Sequence, residues 1–464
     1  MSGMALTATI AAVATLLTLS PRPAEALPSF ARQTGTACGA CHTDFPQLTP
    51  FGRRFKLGGY TMGGGQNTAE YKKVFGSNQW VPPISVMGIA SFTKTSAAQT
   101  DSNGLPMNNV FSADQASIFY GGAITNEIGA FVQGTLAGGT FSLDNADVRY
   151  AKTGSFFGSS AIYGITAHNS PTVQDVWNTT SVWGFPFVES GVAPGPAAAT
   201  MIEGNFAGKV LGVGAYTFIN DIFYLEATAY KGLTTKWQSK LGVSEGMENP
   251  NAYMDKVSPY VRVAVEPHWG NHWLQVGAFW LSTSTNPQVV NPVDFGTSGS
   301  SNKFVDVGVD SQYQYMGKNY VFTTRASYIH EKQTLDGHLA NTESTNPTNT
   351  LNSLKAQASL AWNTDAPGNK WVFTGGYFNT WGTADALLYI DHVTGSPNSD
   401  GWIAEIAWFP YAMSKSSPWP YFNARVGLQY KWYNKFNGAS TNYDGAGRNA
   451  SDNNTLFAYL WFSL

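Results

Sequence analysis

From Val305 onward, apolar and polar residues alternate with a period of two. Val305, Val307, Val309, Tyr313 and Tyr315 fall on one face, and Asp306, Gly308, Asp310, Gln312 and Gln314 on the other. A strand points successive side chains to opposite sides, so the run predicts a β-strand with one apolar and one polar face. The pattern recurs: Leu354, Ala356, Ala358, Leu360 and Trp362 oppose Lys355, Gln357 and Ser359, and Phe223, Leu225, Ala227 and Ala229 oppose Tyr224, Glu226, Thr228 and Tyr230. Trp402, Ala404, Ile406 and Trp408 oppose Glu405 with Ile403 and Ala407. Pairing such runs gives hairpins with short turns at 124–127, 219–221, 267–271 and 316–318, and slightly longer connections after Ala151, Trp362 and Phe409. Between the hairpins lie Asn/Ser/Thr/Gly-rich stretches, at 232–254, 283–302, 334–350 and 434–453. Counting from 84–94 to 454–464 predicts about sixteen strands.

Short turns on one side, long loops on the other and aromatics at strand ends are the signature of an outer-membrane barrel. A soluble propeller would also show many strands, but it requires a repeated blade motif that the chain lacks. Beyond the N-terminus no apolar stretch is long enough for a membrane helix. Entry into a membrane therefore requires a closed barrel, in which every backbone group is paired. The expected fold is all-β, a transmembrane outer-membrane β-barrel of about sixteen strands in contact with outer-membrane lipid. Its lumen would be wide enough for water. Leu456, Ala458, Leu460, Phe462 and Leu464 keep the alternation to the end of the chain. Composition agrees: charged residues are only 12% of the 464, and aromatics 14%, which suits neither disorder nor an ordinary cytosolic enzyme. A net charge of −3 argues against a nucleic-acid partner.

The first 26 residues read as a cleaved signal peptide. Ala5 to Leu19 form an apolar run ended by Ser20-Pro21, and Ala24-Glu25-Ala26 supplies the small residues a signal peptidase needs. No Lys or Arg precedes the run, which departs from the usual pattern. An uncleaved anchor is the alternative, but the run falls short of the roughly 20 residues a span requires. Export to the outer membrane is the expectation.

Both cysteines of the chain lie in Cys38-Gly39-Ala40-Cys41-His42. C-x-x-C-H is the attachment signal for c-type haem. Two thiols one short turn apart can add to the two vinyl groups, and the adjacent His42 is then held against the iron as proximal ligand. These three residues cannot supply the four ligands of a structural zinc site. A thioredoxin-like pair belongs to a βαβ setting, which residues 28–75 do not resemble. For the distal ligand, Met62 in Gly59-Tyr60-Thr61-Met62-Gly63-Gly64 is a candidate, since Met/His ligation raises the haem potential. Met87 or lumen-facing residues are others. The remaining histidines, at 168, 268, 272, 330, 338 and 392, form no metal motif. No catalytic residue is singled out.

Around the haem motif, Pro28-Ser29-Phe30-Ala31-Arg32-Gln33-Thr34-Gly35, Phe45-Pro46-Gln47-Leu48-Thr49-Pro50-Phe51-Gly52-Arg53 and Phe55-Lys56-Leu57 to Tyr60 resemble the N-terminus of the fused monohaem cytochrome–porins of iron-oxidising bacteria. The stretch Asn169 to Pro186, with Pro171-Thr172-Val173-Gln174-Asp175-Val176-Trp177-Asn178, is similar to a block in the same family. The resemblance implies one haem c and an Fe(II) oxidase that takes electrons from extracellular Fe(II) and passes them to a periplasmic electron carrier. The implied organisation is a signal at 1–26, a monohaem cytochrome c segment at 27–75 and a porin-like barrel at 76–464. A hydrocarbon layer of roughly 25 to 30 Å is too thick for one cofactor at one surface to serve both sides. The haem is useful only inside the lumen. The haem segment carries a formal charge of +4 and the barrel −7, a balance that favours docking one within the other, each exposed pair adding about 0 to 1 kcal/mol. Asp147, Glu226, Asp306, Asp310 and Glu405 read as lumen-facing; charged lumen residues are normal in porins, so none is assigned as an iron site. Two other readings stay open: a diffusion porin with a regulatory or sensing haem, and a soluble periplasmic cytochrome with an all-β partner domain.

Overall fold

The computed structural model describes residues 27–61, 83–100, 106–137, 139–180, 184–206, 209–242, 254, 256–287, 300–362, 370–411 and 419–464. Its strands, in chain order, are β1 (Ile84–Thr95), β2 (Val110–Ala123), β3 (Ile128–Ala137), β4 (Thr140–Phe156), β5 (Ser159–His168), β6 (Val210–Ile219), β7 (Phe223–Gly232) and β8 (Ser258–Val265). There follow β9 (His272–Thr285), β10 (Asn302–Met316), β11 (Tyr320–Thr334), β12 (Thr348–Trp362), β13 (Lys370–Gly382), β14 (Ser399–Phe409), β15 (Asn423–Lys435) and β16 (Thr455–Ser463). β8 breaks at Glu266-Pro267 and resumes as His268–Trp269, because proline offers the ladder no N–H. Every strand pairs antiparallel with its neighbours in sequence. The sheet closes where β1 meets β16, from Met87 opposite Ser463 to Thr95 opposite Thr455.

The sixteen strands thus form a closed porin-like barrel of the outer-membrane type. No helix among the described residues is long and apolar enough to cross a membrane. The alternation read from the sequence decides which face is which. On β10, Asp306, Asp310, Gln312 and Gln314 are buried in the lumen, while Val307 and Val309 are exposed outside. All five acids expected to face inward are at most 5% exposed. Near the short-turn rim, outward aromatics adjoin one another around the barrel. Tyr315 lies 5.5 Å from Tyr320, Tyr320 6.5 Å from Trp362, and Trp371, opposite Trp362, 6.0 Å from Trp408. Such a girdle places amphipathic rings at the membrane interface.

Two expectations are corrected. The turn expected after Ala151 comes after Phe156, because β4 and β5 pair as far as Phe156 opposite Ser159. Residues 152–157 are exposed; with neither face buried the alternation fades, although the ladder continues. The second correction is to the lumen, expected to hold the haem segment and still be wide enough for water. Residues 27–61 do lie in it, and residues 169–180 and 184–206, between β5 and β6, also fold into it as an inlet instead of forming strands.

Residues 27–61 sit at the short-turn end as three helices, α1 (Pro28–Thr34), α2 (Cys38–Cys41) and α3 (Pro50–Leu57). Proline opens α1, and Gly35 closes it at φ 66°, a left-handed conformation that glycine adopts without strain. Thr49 caps α3 by accepting from the Gly52 N–H at 3.1 Å. Gly52 also lets α3 lie on α2: a Cβ there would meet the Cys41 carbonyl oxygen at 2.2 Å. Polar bonds tie this unit to the wall. Ser29 N–H donates to Ser85 Oγ at 2.9 Å, Gln33 Nε2 to the Gly121 carbonyl at 3.0 Å, and Arg53 reaches Glu266 at 2.7 Å with Gln314 Oε1 at 2.7 Å.

Both Arg53 and Glu266 are 3% exposed. Removing one partner of such a pair leaves the other charge buried alone, which costs about 3–5 kcal/mol. Arg53→Met is therefore expected to loosen the N-terminal unit and open residues 27–61 to limited proteolysis while the barrel resists. Arg53→Met combined with Glu266→Gln should recover most of the protection. Equal protection in the wild type and the single variant would contradict the docking role of this pair.

Candidate functional site

The three residues of the expected haem motif converge on one cavity. Cys38, Cys41 and His42 line it together with Phe30, Phe45, Phe51, Phe55, Met87, Phe119, Phe131, Val173 and Trp461. Its volume is about 170 Å³. α2 is a single turn that turns both cysteines to the same space, and the His42 N–H closes it by donating to the Cys38 carbonyl at 2.8 Å. α3 braces this turn from behind, with the Thr49 N–H donating to the Cys41 carbonyl at 2.9 Å. Cys38 and Cys41 are not joined by a disulfide.

Burial governs the charge state. It pushes the Cys41 thiol up to about 12 and His42 down to about 4, so at neutral pH the one is protonated and the other a neutral imidazole, the form that binds metals. The His42 ring packs edge-on against Phe45 at 5.1 Å, and the backbone at Pro46 and Gln47 hydrogen-bonds to it. Phe30, stacked on Tyr60 at 5.5 Å and edge-on to Phe55 at 5.2 Å, makes another apolar wall. Met62 lies outside the described residues. The methionine that the described structure brings to the cavity is Met87, on β1.

Polar groups ring the apolar space. Arg425, on β15, pairs with Asp44 at 3.2 Å, with Glu405, and with the Phe45 carbonyl at 2.6 Å. Lys56 donates to the carbonyls of Val173 and Asp175, and Tyr60 Oη donates to Asp147 at 2.6 Å. Asp147 also holds Arg149 at 2.7 Å, whose guanidinium lies 5.7 Å from the Tyr60 ring.

The roof of the cavity is the inlet, with Thr172, Val173, Asp175, Val176 and Asn178 among its lining. It starts as α4 (Pro171–Gln174), capped by Ser170 and opened by Pro171. Asp175 then organises the turn, accepting from the N–H groups of Trp177 and Thr179 at 2.9 Å each. Trp177 Nε1 reaches Glu266, the partner of Arg53, so the inlet and the N-terminal unit share one carboxylate. Arg325 donates to the Asn178 carbonyl at 2.6 Å, and Gln429 to the Val188 carbonyl at 3.0 Å on the far wall. The inlet thus spans the lumen between the cavity and the long-loop end. Sequence reasoning singled out this stretch only by resemblance. The available signals were Ser170-Pro171, the loss of alternation after His168, and the prolines at 186, 194 and 196.

No protein-family model matches this chain, and no curated protein matches it. Among solved structures it is similar to OmpT with loop L8 deleted, an outer membrane protein of Vibrio cholerae, at 10% identity and a TM-score of 0.42, covering 82% of this chain and 98% of that one. It is similar to the outer membrane channel DcaP of Acinetobacter baumannii at 10% identity and a TM-score of 0.44, covering 82% and 96%. Salmonella typhi OmpF, in complex with daunomycin, is similar at 12% identity and a TM-score of 0.42, covering 82% and 97%.

Proposed function

We propose that this chain is a fused monohaem cytochrome–porin, an outer-membrane conduit that takes electrons from extracellular Fe(II) and passes them to a periplasmic carrier. The observation that carries the reading is the convergence of Cys38, Cys41 and His42 on one apolar cavity inside a closed barrel. The residues fit a c-type haem. Two thiols and an imidazole that burial keeps neutral face a space walled by phenylalanines. Cys38 and Cys41 would hold the group covalently and His42 would ligate its iron. A haem bound there supplies a one-electron couple. Each Fe(II) gives up one electron on becoming Fe(III), and the carrier gains it. The protein's part is to hold the group, exclude water from it with Phe30, Phe45 and Trp461, and keep it at the short-turn end, where a periplasmic carrier has access. The occupied lumen favours this reading over a diffusion porin with a regulatory haem.

The cysteines are tested first. Cys38→Ala/Cys41→Ala should lose covalent haem, read by haem staining after denaturing electrophoresis, and His42→Ala should keep the stain but show altered absorption. Full staining of the double cysteine variant would overturn the assignment. In stopped flow, Fe(II) mixed with the oxidised holoprotein should produce the reduced haem spectrum. Haem that stays oxidised while small solutes pass the barrel would favour the diffusion porin.

Two thioethers compete for the distal position. With Met62 as ligand, Met62→Ala lowers the haem potential or makes the iron high-spin, and Met87→Ala leaves both unchanged. With Met87 as ligand, the two outcomes exchange. Absorption spectra and potentiometric titration decide between them, and two unchanged variants would discard both.

A further inference from the structure

A second cavity lies beyond the inlet, at the long-loop end of the lumen. Its volume is about 320 Å³. Glu331 and Gln333 of β11 line it, with His338 from the short helix Asp336–Ala340, Asp391 and His392 from the β13–β14 connection, and Met201 of the inlet. Nothing in the proposed chemistry of the cysteine cavity uses these groups.

Two imidazoles line this cavity. His338 is 7% exposed, and neither ring nitrogen has a hydrogen-bond partner among the described residues. A buried polar group left this way calls for a water, an ion or a ligand to satisfy it. His392, equally buried, donates from Nδ1 to the Ser396 carbonyl at 2.7 Å. That bond fixes the tautomer and leaves Nε2 with its lone pair, as the backing bond of a metal-binding histidine does.

Carboxyl groups gather nearby. Glu331 stands directly opposite Asp306 in the β10–β11 ladder, where two adjoining carboxyl groups share either a proton or a cation. Glu331 accepts from the Met201 N–H and from Gln333 Nε2, both at 2.6 Å, and Asp306 Oδ2 from the Ile202 N–H at 3.0 Å. Lys355 is paired with a third acid, Glu203, at 2.8 Å.

We propose that this vestibule takes a hydrated first-row divalent cation, held through His338, His392 and Glu331; resting on the function proposed above, it is where extracellular Fe(II) docks. Imidazole favours such ions over magnesium and calcium. Among the described residues no three His, Cys, Asp or Glu side chains close around a single point. The ion therefore keeps most of its water, which suits a donor that must leave after giving up its electron. Arg325, at the inlet, and Glu331 share β11, about six residues apart. At about 3.3 Å per residue and a tilt near 40°, the vestibule lies roughly 15 Å along the barrel axis from the roof of the cysteine cavity.

The test uses Zn(II), which is redox-silent, titrated calorimetrically into the full chain in detergent. It is run in the wild type and in Cys38→Ala/Cys41→Ala, where neither haem nor thiols contribute. Binding of about one Zn(II) per chain is expected in both, weakened at least tenfold by His338→Ala/His392→Ala. A folding control is heat-modifiable electrophoretic mobility, with His338→Gln/His392→Gln as the variant to use should the alanine pair misfold. Absent binding, or binding unchanged in a folded histidine variant, would overturn the site whatever the haem does. In the holoprotein, Zn(II) should raise the Fe(II) concentration for half-maximal haem reduction in the wild type only, and leave reduction by dithionite untouched. Equal inhibition in the folded histidine variant would overturn the link to Fe(II). If Fe(II) never reduces the haem, the conduit reading fails, while the Zn(II) titration still decides the site.

Discussion

Arg149, Arg262, Arg325 and Arg425 all project from the barrel wall into the lumen, and each is at most 4% exposed. A buried cation is tolerated only when it is paired and hydrogen-bonded. Each of the four finds part of its satisfaction on a segment that is not a strand. Arg149 reaches Gln174 Oε1 at 2.7 Å, Arg262 Asp175 at 3.5 Å, Arg325 the Asn178 carbonyl at 2.6 Å and Arg425 Asp44 at 3.2 Å. The wall and its contents are therefore one electrostatic unit. An empty barrel of this sequence would leave four guanidinium groups short of partners or flooded with water. Filling the lumen also builds the apolar cavity around the cysteines, because the inlet and α1–α3 close on it together and are joined by Lys56.

The barrel was legible in the sequence because its outward and inward faces differ in chemistry at every second residue. Val307 and Val309 outside, with Asp306 and Asp310 inside, are the pattern made solid. Legibility fails where that contrast ends. The hairpin beyond Ala151 is exposed on both faces, so its length could not be read. The inlet has no period, and its inward course is dictated by partners far along the chain, such as Asp306 for the Ile202 N–H. At the site, Cys38, Cys41 and His42 announced themselves by spacing alone. Met87, one candidate among several, lines the cavity because β1 carries it there, which spacing along the chain does not show. His338 and His392 looked scattered, since a shared cavity between two loops leaves no trace in linear spacing.

The inlet divides the lumen into two chambers of opposite character. Toward the short turns the cavity is apolar, and it suits a flat cofactor held by thioethers. Toward the long loops it is lined by carboxylates and imidazoles, and suits an aqueous cation. The division separates what must stay from what must come and go. Under the proposed function, ferric product formed in the outer chamber would remain on the outer side, and only an electron would cross the inlet.

That separation is tested most directly in vesicles carrying the holoprotein, with oxidised mitochondrial cytochrome c sealed inside as acceptor and Fe(II) added outside. With the long-loop face outward, the internal cytochrome c is expected to become reduced while all iron, now ferric, stays in the external medium. Vesicles carrying Cys38→Ala/Cys41→Ala should show no reduction. Internal cytochrome c that stays oxidised, or that is reduced only as iron itself enters the vesicles, would contradict the account.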